Sequence, residues 1–159
     1  MKSIVAHIFI GLCLGLALTA CSEKKDPKME EAGKIHLEAM KIEETIAEEI
    51  ETADSLENIL VEKKKSLKDA TTIASIDSTI AAINRTQAAF EEWEENLVEV
   101  PGLAHEHHHG EGEEHHHDHK PAPDLSPDQM LEIQKATKAN IEKIKSDWAK
   151  TQEMIKKAL

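Results

Sequence analysis

Eight of the ten histidines in this chain of 159 residues fall between His105 and His119, in a run that reads HEHHH-GEGEE-HHHDH. The run is nearly a mirror image about Gly112: His105, Glu106, His107, His108 and His109 answer His119, Asp118, His117, His116 and His115. Gly110 and Gly112 near the centre permit a tight reversal. In an extended stretch, residues two apart share a side. His105, His107 and His109 then present three rings together, and His115, His117 and His119 do the same.

Neutral imidazole is the commonest protein ligand for Zn²⁺ and also suits Cu²⁺ and Ni²⁺. The interleaved Glu106, Glu111, Glu113, Glu114 and Asp118 add oxygen ligands and draw cations in before coordination. The run has no thiolate to favour Cu⁺, and the affinity order favours Cu²⁺ over Zn²⁺ and Ni²⁺, so supply decides occupancy. Ordering such a segment costs conformational entropy, which favours several interchangeable binding modes over one fixed tetrahedron. That chemistry is a buffer or collector of divalent metal. Two plainer readings stand beside it: a solvated low-complexity linker, and a pH sensor built on imidazole. His105 to His109 also match the H-E-x-x-H pattern of zinc proteases. That motif works only where a helix sets both rings on one face with the Glu beside a metal-bound water. Here the match falls in a polar tract bounded by Gly and Pro, so proteolysis is not expected.

The elements that must hold this segment are legible from the N-terminus onward. Lys2 and the apolar stretch from Ile4 to Leu18 read as a secretory leader. At about 15 residues the stretch is shorter than the ~20 a membrane span requires. Leu18-Thr19-Ala20-Cys21 matches the bacterial lipobox at all four positions. Residues 1–20 are therefore expected to be removed, Cys21 to carry a diacylglycerol lipid, and 21–27 to form a polar tether. Cys13 leaves with the leader, so the mature chain has no free thiol and no disulfide. Removal of Lys2 leaves the body one unit more negative than the −12 of the whole chain. An acidic body is repelled by anionic headgroups, so lipid must supply the membrane attachment. The expected location is the bacterial cell envelope, lipid-anchored in the outer membrane, facing the periplasm or the cell surface.

Asp26-Pro27 is a helix start, and Ile35, Ala39, Ile42, Ile46, Ile50, Ala53, Leu56, Leu60 and Leu67 recur at steps of three and four. Asp69-Ala70-Thr71-Thr72 is the expected break. A second seam runs through Ile73, Ile76, Ile80, Ile83, Gln87, Phe90, Trp93 and Leu97 to Pro101-Gly102. Ser126-Pro127-Asp128-Gln129 has the composition of a capping box, followed by Met130, Ile133, Thr137, Ile141, Ile144, Trp148, Thr151 and Ile155. No run alternates for long enough to be a strand. The expected fold is all-α: an antiparallel three-helix bundle, or a long coiled-coil-like hairpin that dimerises. Helices 1 and 2 fill 28–99, a disordered His/Glu-rich loop fills 100–125, and helix 3 fills 126–159. With the first turn near residue 70, residue i falls beside about 140 − i, which brings the loop out beside His36 and Met40. His36 is thereby a further candidate ligand, with Glu106 and Asp118 in support of the loop histidines. Met29, His36 and Met40 lie on one stripe; their ordinary use is core-edge packing, and copper binding is the rival use.

Apolar residues make up 40% and charged residues 31%, with no Tyr. The length excludes a multi-domain enzyme, and the acidic balance excludes a nucleic-acid binder working through a basic surface. Phe90, Trp93 and Trp148 are expected in the core, and Lys63-Lys64-Lys65 at a solvated helix end. No nucleophile sits with a base, no Gly-rich phosphate loop is present, and no Glu-x-x-His pair of the di-iron type occurs outside the loop, so an enzyme is not expected. Expected partners are the membrane and a metal-transport or other envelope protein. The rival class is a structural or interaction protein in which the His-rich segment is a spacer.

With these residues in view, the chain resembles a family of small helical bacterial lipoproteins, some of which carry the name "viral A-type inclusion protein". The resemblance rests on the lipobox ending at Cys21, the Ile35-His36-x-Glu38-x-Met40 patch, a helix ending around Trp93, and an Ala/Lys/Ile-rich C-terminal helix. It implies a helical, membrane-anchored protein without an assigned activity. The His-rich loop is longer than that family leads one to expect, so a metal role would be particular to this member.

Overall fold

The computed structural model describes residues 26–103 and 124–159. Their regular structure is α1 (Pro27–Glu44), α2 (Ala47–Glu51), α3 (Ala53–Lys65), α4 (Ala70–Glu95) and α5 (Pro127–Ala158). Among the described residues there is no strand, and no helix is long and apolar enough to cross a membrane. The leader, Cys21 and most of the tether lie outside the described residues, as does the expected loop from residue 104 to 123.

The helix starts follow from their capping residues. Asp26 Oδ1 accepts from Lys28 N at 2.8 Å, with Pro27 in the first position. Asp69 Oδ2 accepts from Thr72 N at 2.7 Å and from Thr72 Oγ1 at 2.6 Å, so the cluster read as a break is where α4 begins. The capping box of α5 closes reciprocally: Gln129 N donates to Ser126 Oγ at 3.3 Å, and Ser126 N to Gln129 Oε1 at 3.0 Å.

Two boundaries differ from the sequence expectation. The first helix is not continuous but is cut into α1, α2 and α3, with interruptions at Thr45-Ile46 and at Thr52. Both threonines turn their hydroxyls back on the chain, Thr45 Oγ1 to Ile42 O at 2.6 Å and Thr52 Oγ1 to Glu48 O at 2.7 Å. Such back-bonding competes with the helix ladder. Glu44 and Glu48, four apart and of like charge, weaken the same stretch. The second helix ends at Glu95, short of the expected 99. Asn96 Nδ2 takes Glu92 O at 2.7 Å, and Leu97 and Val100 leave the helix to bury themselves. The two side chains go to different places, Leu97 into the larger core and Val100 into a second, smaller apolar cluster.

The directions of the rods are fixed by their cross-contacts. Lys28 pairs with Asp128, Lys138 Nζ with Glu38 Oε2 at 2.6 Å, and Lys145 Nζ with Thr45 Oγ1 at 3.2 Å, each pair 100 residues apart. A constant offset means that α1 and α5 run parallel. Across from them, Lys64 Nζ meets Asp77 Oδ1 at 2.5 Å, while Gln87 Nε2 meets Asp54 Oδ1 at 2.9 Å, so α4 runs antiparallel in the register expected from a turn near residue 70. α4 is also antiparallel to α5, through Trp93 Nε1 donating to Thr137 O at 3.0 Å and Thr86 against Thr151 at 3.4 Å. The packing is bundle-like.

The core follows the seams. Ile76, Ile83, Phe90 and Leu97, seven apart in sequence, are buried together with Ile141, Ile144, Trp148 and Ile155 of α5 and Ile46, Ile50 and Leu60 of the first rod. Phe90 and Trp93 stack with ring centroids 6.3 Å apart, and both they and Trp148 take the core role expected of them. Thr79, Thr86 and Thr151 are buried too, each satisfying its hydroxyl on its own helix four residues back. Lys63 departs from a merely solvated helix end: its ammonium donates to Ala158 O at 2.7 Å and Leu159 O at 2.5 Å, closing the free carbonyls of α5.

Candidate functional site at the root of the histidine-rich segment

His105, His107, His108, His109, His115, His116, His117 and His119, with Glu106 and Asp118, lie outside the described residues, as does Cys21. The structure does describe where the chain leaves the body toward that segment and where it returns. A second, smaller apolar cluster holds both places. Its buried members are Ala32, Val100, Met130 and Leu131, and Met29, Ile35, Leu103 and Leu125 pack against it. On the departing side, Leu103 N donates to Val100 O at 3.2 Å and Gly102 adopts φ 81°, a conformation that favours glycine. Leu103 then lies against Gly33, where an added Cβ would stand 3.1 Å from Leu103 Cδ1, so the bare glycine surface of α1 is what lets the leucine seat. On the returning side, Leu125 packs into the same cluster just before the Ser126 cap. Both roots sit at the end of the body where α1 begins, its N-cap Asp26 five residues beyond Cys21. Five extended residues reach at most about 17 Å.

Beneath these roots lies a buried polar node. His36 and Gln134 are both fully buried. Gln134 Nε2 donates to Val98 O at 2.7 Å and approaches Met130 Sδ at 3.6 Å. With its amide nitrogen so committed, Gln134 Oε1 must be the acceptor for His36 Nδ1 at 2.9 Å, which puts a proton on that nitrogen. His36 Nε2 faces Glu99 Oε2 at 3.8 Å. Both ring nitrogens thus look onto groups of the body: α5 through Gln134, and the segment leading to the root through Glu99. Met40 packs against the larger core and Met29 against the smaller one, the packing use of that stripe.

Sequence reasoning missed Gln134 and Glu99. The α5 seam was carried through Ile133, which is half-buried, while Gln134 takes the fully buried place. A signal existed: Met130, Gln134, Thr137, Ile141, Ile144 and Trp148 keep the three-and-four stepping of the seam, and a polar residue buried in such a position must have a partner.

A second feature lies farther along the first rod. Glu43 on α1 and Glu94 on α4 are half-buried, and the Glu43 charge bears on Glu94. Burial first, then Glu51 and Glu44, push the Glu43 carboxyl up to about 7. Burial, then Glu43, Glu51 and Glu91, push Glu94 up to about 7 as well. Beside them runs an open groove of about 360 Å³ lined by Ile50, Glu51, Asp54, Gln87, Phe90 and Glu94, among others. Among the described residues, no group of three or more His, Cys, Asp or Glu is arranged to hold a metal ion. No family model, curated protein or solved structure matches this chain.

Proposed function

We propose that this chain is a lipid-anchored protein of the bacterial cell envelope whose body, an antiparallel three-helix bundle, displays a His-rich segment that collects divalent transition metal. The observation that carries the reading is the density of ligands: eight imidazoles interleaved with carboxylates between His105 and His119. The metal is Zn²⁺, Cu²⁺ or Ni²⁺ according to supply. The ligands are His105, His107, His108, His109, His115, His116, His117 and His119, supported by Glu106 and Asp118. His36, buried against Gln134 and Glu99, holds the body together below them and would join the ligand set only by leaving both contacts. The role is one of binding, without catalysis.

The body supports this reading in two ways. The cluster around Ala32, Val100 and Met130 gathers both roots of the segment, so the collector is hung from one end of the body. That end is also the end next to Cys21, so a lipid there keeps the ligands close to the membrane, where an envelope transporter can receive the ion. The parallel offset of α1 and α5, with α4 antiparallel to both, favours a three-helix bundle over a two-stranded hairpin.

The test is calorimetric titration of the full untagged chain, in mild detergent, with each metal at about pH 7.5 and about pH 5.5, on either side of the ordinary imidazole pKa of ~6.5. Binding is expected to weaken at the lower pH and to vanish when the eight loop histidines are replaced by serine. Uptake unchanged in that variant would overturn the proposal and favour a structural protein with a spacer. Cys21→Ser is expected to move the protein from the membrane fraction to the soluble fraction.

A further inference from the structure

The turn-long helix α2 is held on its two sides by opposite kinds of contact. Toward α5 it is fastened by neutral donors to one carboxylate: Trp148 Nε1 donates to Glu49 Oε2 at 2.9 Å and Gln152 Nε2 to the same oxygen at 2.7 Å. Toward α4 it presents an acidic edge. Glu51 ends α2 and Glu43 stands on α1 a turn before it; both bear on Glu94 of α4, beside the place where Ile50 packs into the same core as Phe90. The remaining charged groups around this edge are Glu44 on α1, Asp54 on α3, Glu91 on α4 and Lys145 on α5. Asp54 is engaged by Gln87, and the Lys145 ammonium is held 3.2 Å from Thr45 Oγ1. Among the described residues, the charged groups that act on Glu43 and Glu94 are acids.

The first rod is interrupted on either side of α2. Ile46 opens α2 with no side-chain cap, and Thr52 closes it one turn later. Among the described residues, the polar tie from α4 to α2 is Gln87 Nε2 donating to Ile50 O at 3.2 Å, a long contact to a carbonyl near the Thr52 break. An element bounded by two interruptions, tied on one flank and electrostatically opposed on the other, has the ingredients of a hinge.

We propose that α2 is a proton-operated joint: with a proton on Glu43 or Glu94 it closes on α4, and with both ionised its acidic edge parts from α4 while Glu49 keeps it on α5, widening the groove floored by Ile50 and Phe90. The physical cause is desolvation together with like charge. Each carboxylate is half-removed from water by the closed contact, and two ionised groups there favour the arrangement that readmits solvent. Their common elevation to about 7 sets the change near neutral pH. This joint is independent of metal capture by the His-rich segment.

The two tryptophans of the chain make the test direct, because Trp148 touches α2 through Glu49. In the full chain in detergent, with chelator present and Trp93→Phe leaving Trp148 as the reporter, emission is followed from about pH 5.5 to about pH 8.5. A sigmoidal change with a midpoint near 7 is expected, lost in the Glu43→Gln/Glu94→Gln double variant and kept in Glu44→Gln. The double variant retains every histidine, so a transition that persists in it belongs to imidazole and overturns the proposal. A flat profile in the parent overturns it too. Should Trp93→Phe unfold, hydrogen exchange in the unaltered chain decides. Corrected for intrinsic rate, amides of residues 46–55 are expected to exchange roughly threefold faster or more at pH 8 than at pH 6. Equal protection at both pH values refutes the joint.

Discussion

Replacing Gln134 by leucine isolates the energetic worth of the node below the loop roots. Leucine has nearly the volume of glutamine, so the fully buried site is refilled and the cavity penalty is small. What is lost is polar. His36 Nδ1 loses its acceptor at 2.9 Å, and Val98 O loses a donor at 2.7 Å. A buried group stranded without a partner costs about 1–3 kcal/mol. The His36 site is wholly enclosed and Val98 only half so, which places the first near the top of that range and the second near the bottom. Offset by the modest gain from burying an apolar side chain, the expected net loss is about 2–4 kcal/mol. Urea unfolding followed by far-ultraviolet dichroism measures it, and a double-mutant cycle with His36→Leu should return a coupling of about 1–2 kcal/mol. A loss under about 0.5 kcal/mol, or strictly additive single variants, would refute the node as a set of mutually satisfied groups.

Ser126→Ala removes one half of the capping box and should cost about 1 kcal/mol in the same unfolding assay, with fraying confined to the first turn of α5. Phe90→Ala empties a site that is 1% exposed and should cost about 3–5 kcal/mol, enough to unfold a marginal body. Because Glu43 and Glu94 hold their protons up to about 7 when folded, the native state binds more protons than the unfolded chain above the ordinary glutamate range. Their contribution to stability is therefore full in mild acid and lost as pH rises through 7, so urea midpoints of the parent should fall between about pH 5 and pH 8 while the double Gln variant changes less. Asp147 acts in the opposite direction. Its carboxyl is held down to about 2 by hydrogen bonds from Lys143 and then Lys150, so what it contributes is present above the ordinary aspartate range and is lost only as pH falls through 2.

What could be read in the sequence and what could not divide along physical lines. Two helix starts were legible because a cap is a local event: Asp26-Pro27 and Ser126-Pro127-Asp128-Gln129 each carry their hydrogen-bond logic within three residues. Asp69, expected only as part of a break, proves to be the cap of α4. The all-helical character followed from the period of the seams, and the register of α4 against the first rod followed from one well-placed turn. The interruptions at Thr45-Ile46 and Thr52 were not legible, since the apolar steps Ile42, Ile46, Ile50 and Ala53 run straight through them while the break comes from hydroxyl back-bonding and like charge. The early end of α4 was hidden for a related reason. Leu97 and Val100 both keep the three-and-four stepping from Trp93, so the apolar pattern runs on past Asn96, where the helix has already ended. The His36 node needed three dimensions: Gln134 is 98 residues from its ring partner, and nothing local marks Glu99 as facing the same imidazole.

The offset of 100 residues that pairs α1 with α5 has a consequence for anything attached to this protein. Parallel first and last rods leave the two extremities of the body at opposite poles, Asp26 at one and Leu159 at the other. The 32 residues of α5 separate those poles by about 48 Å at 1.5 Å per residue. A fluorophore or affinity handle joined after Leu159 would therefore travel a full rod's length from the pole that carries the histidine segment, and energy transfer from that handle to a dye near residue 26 would serve as a ruler for whether the rod stands whole.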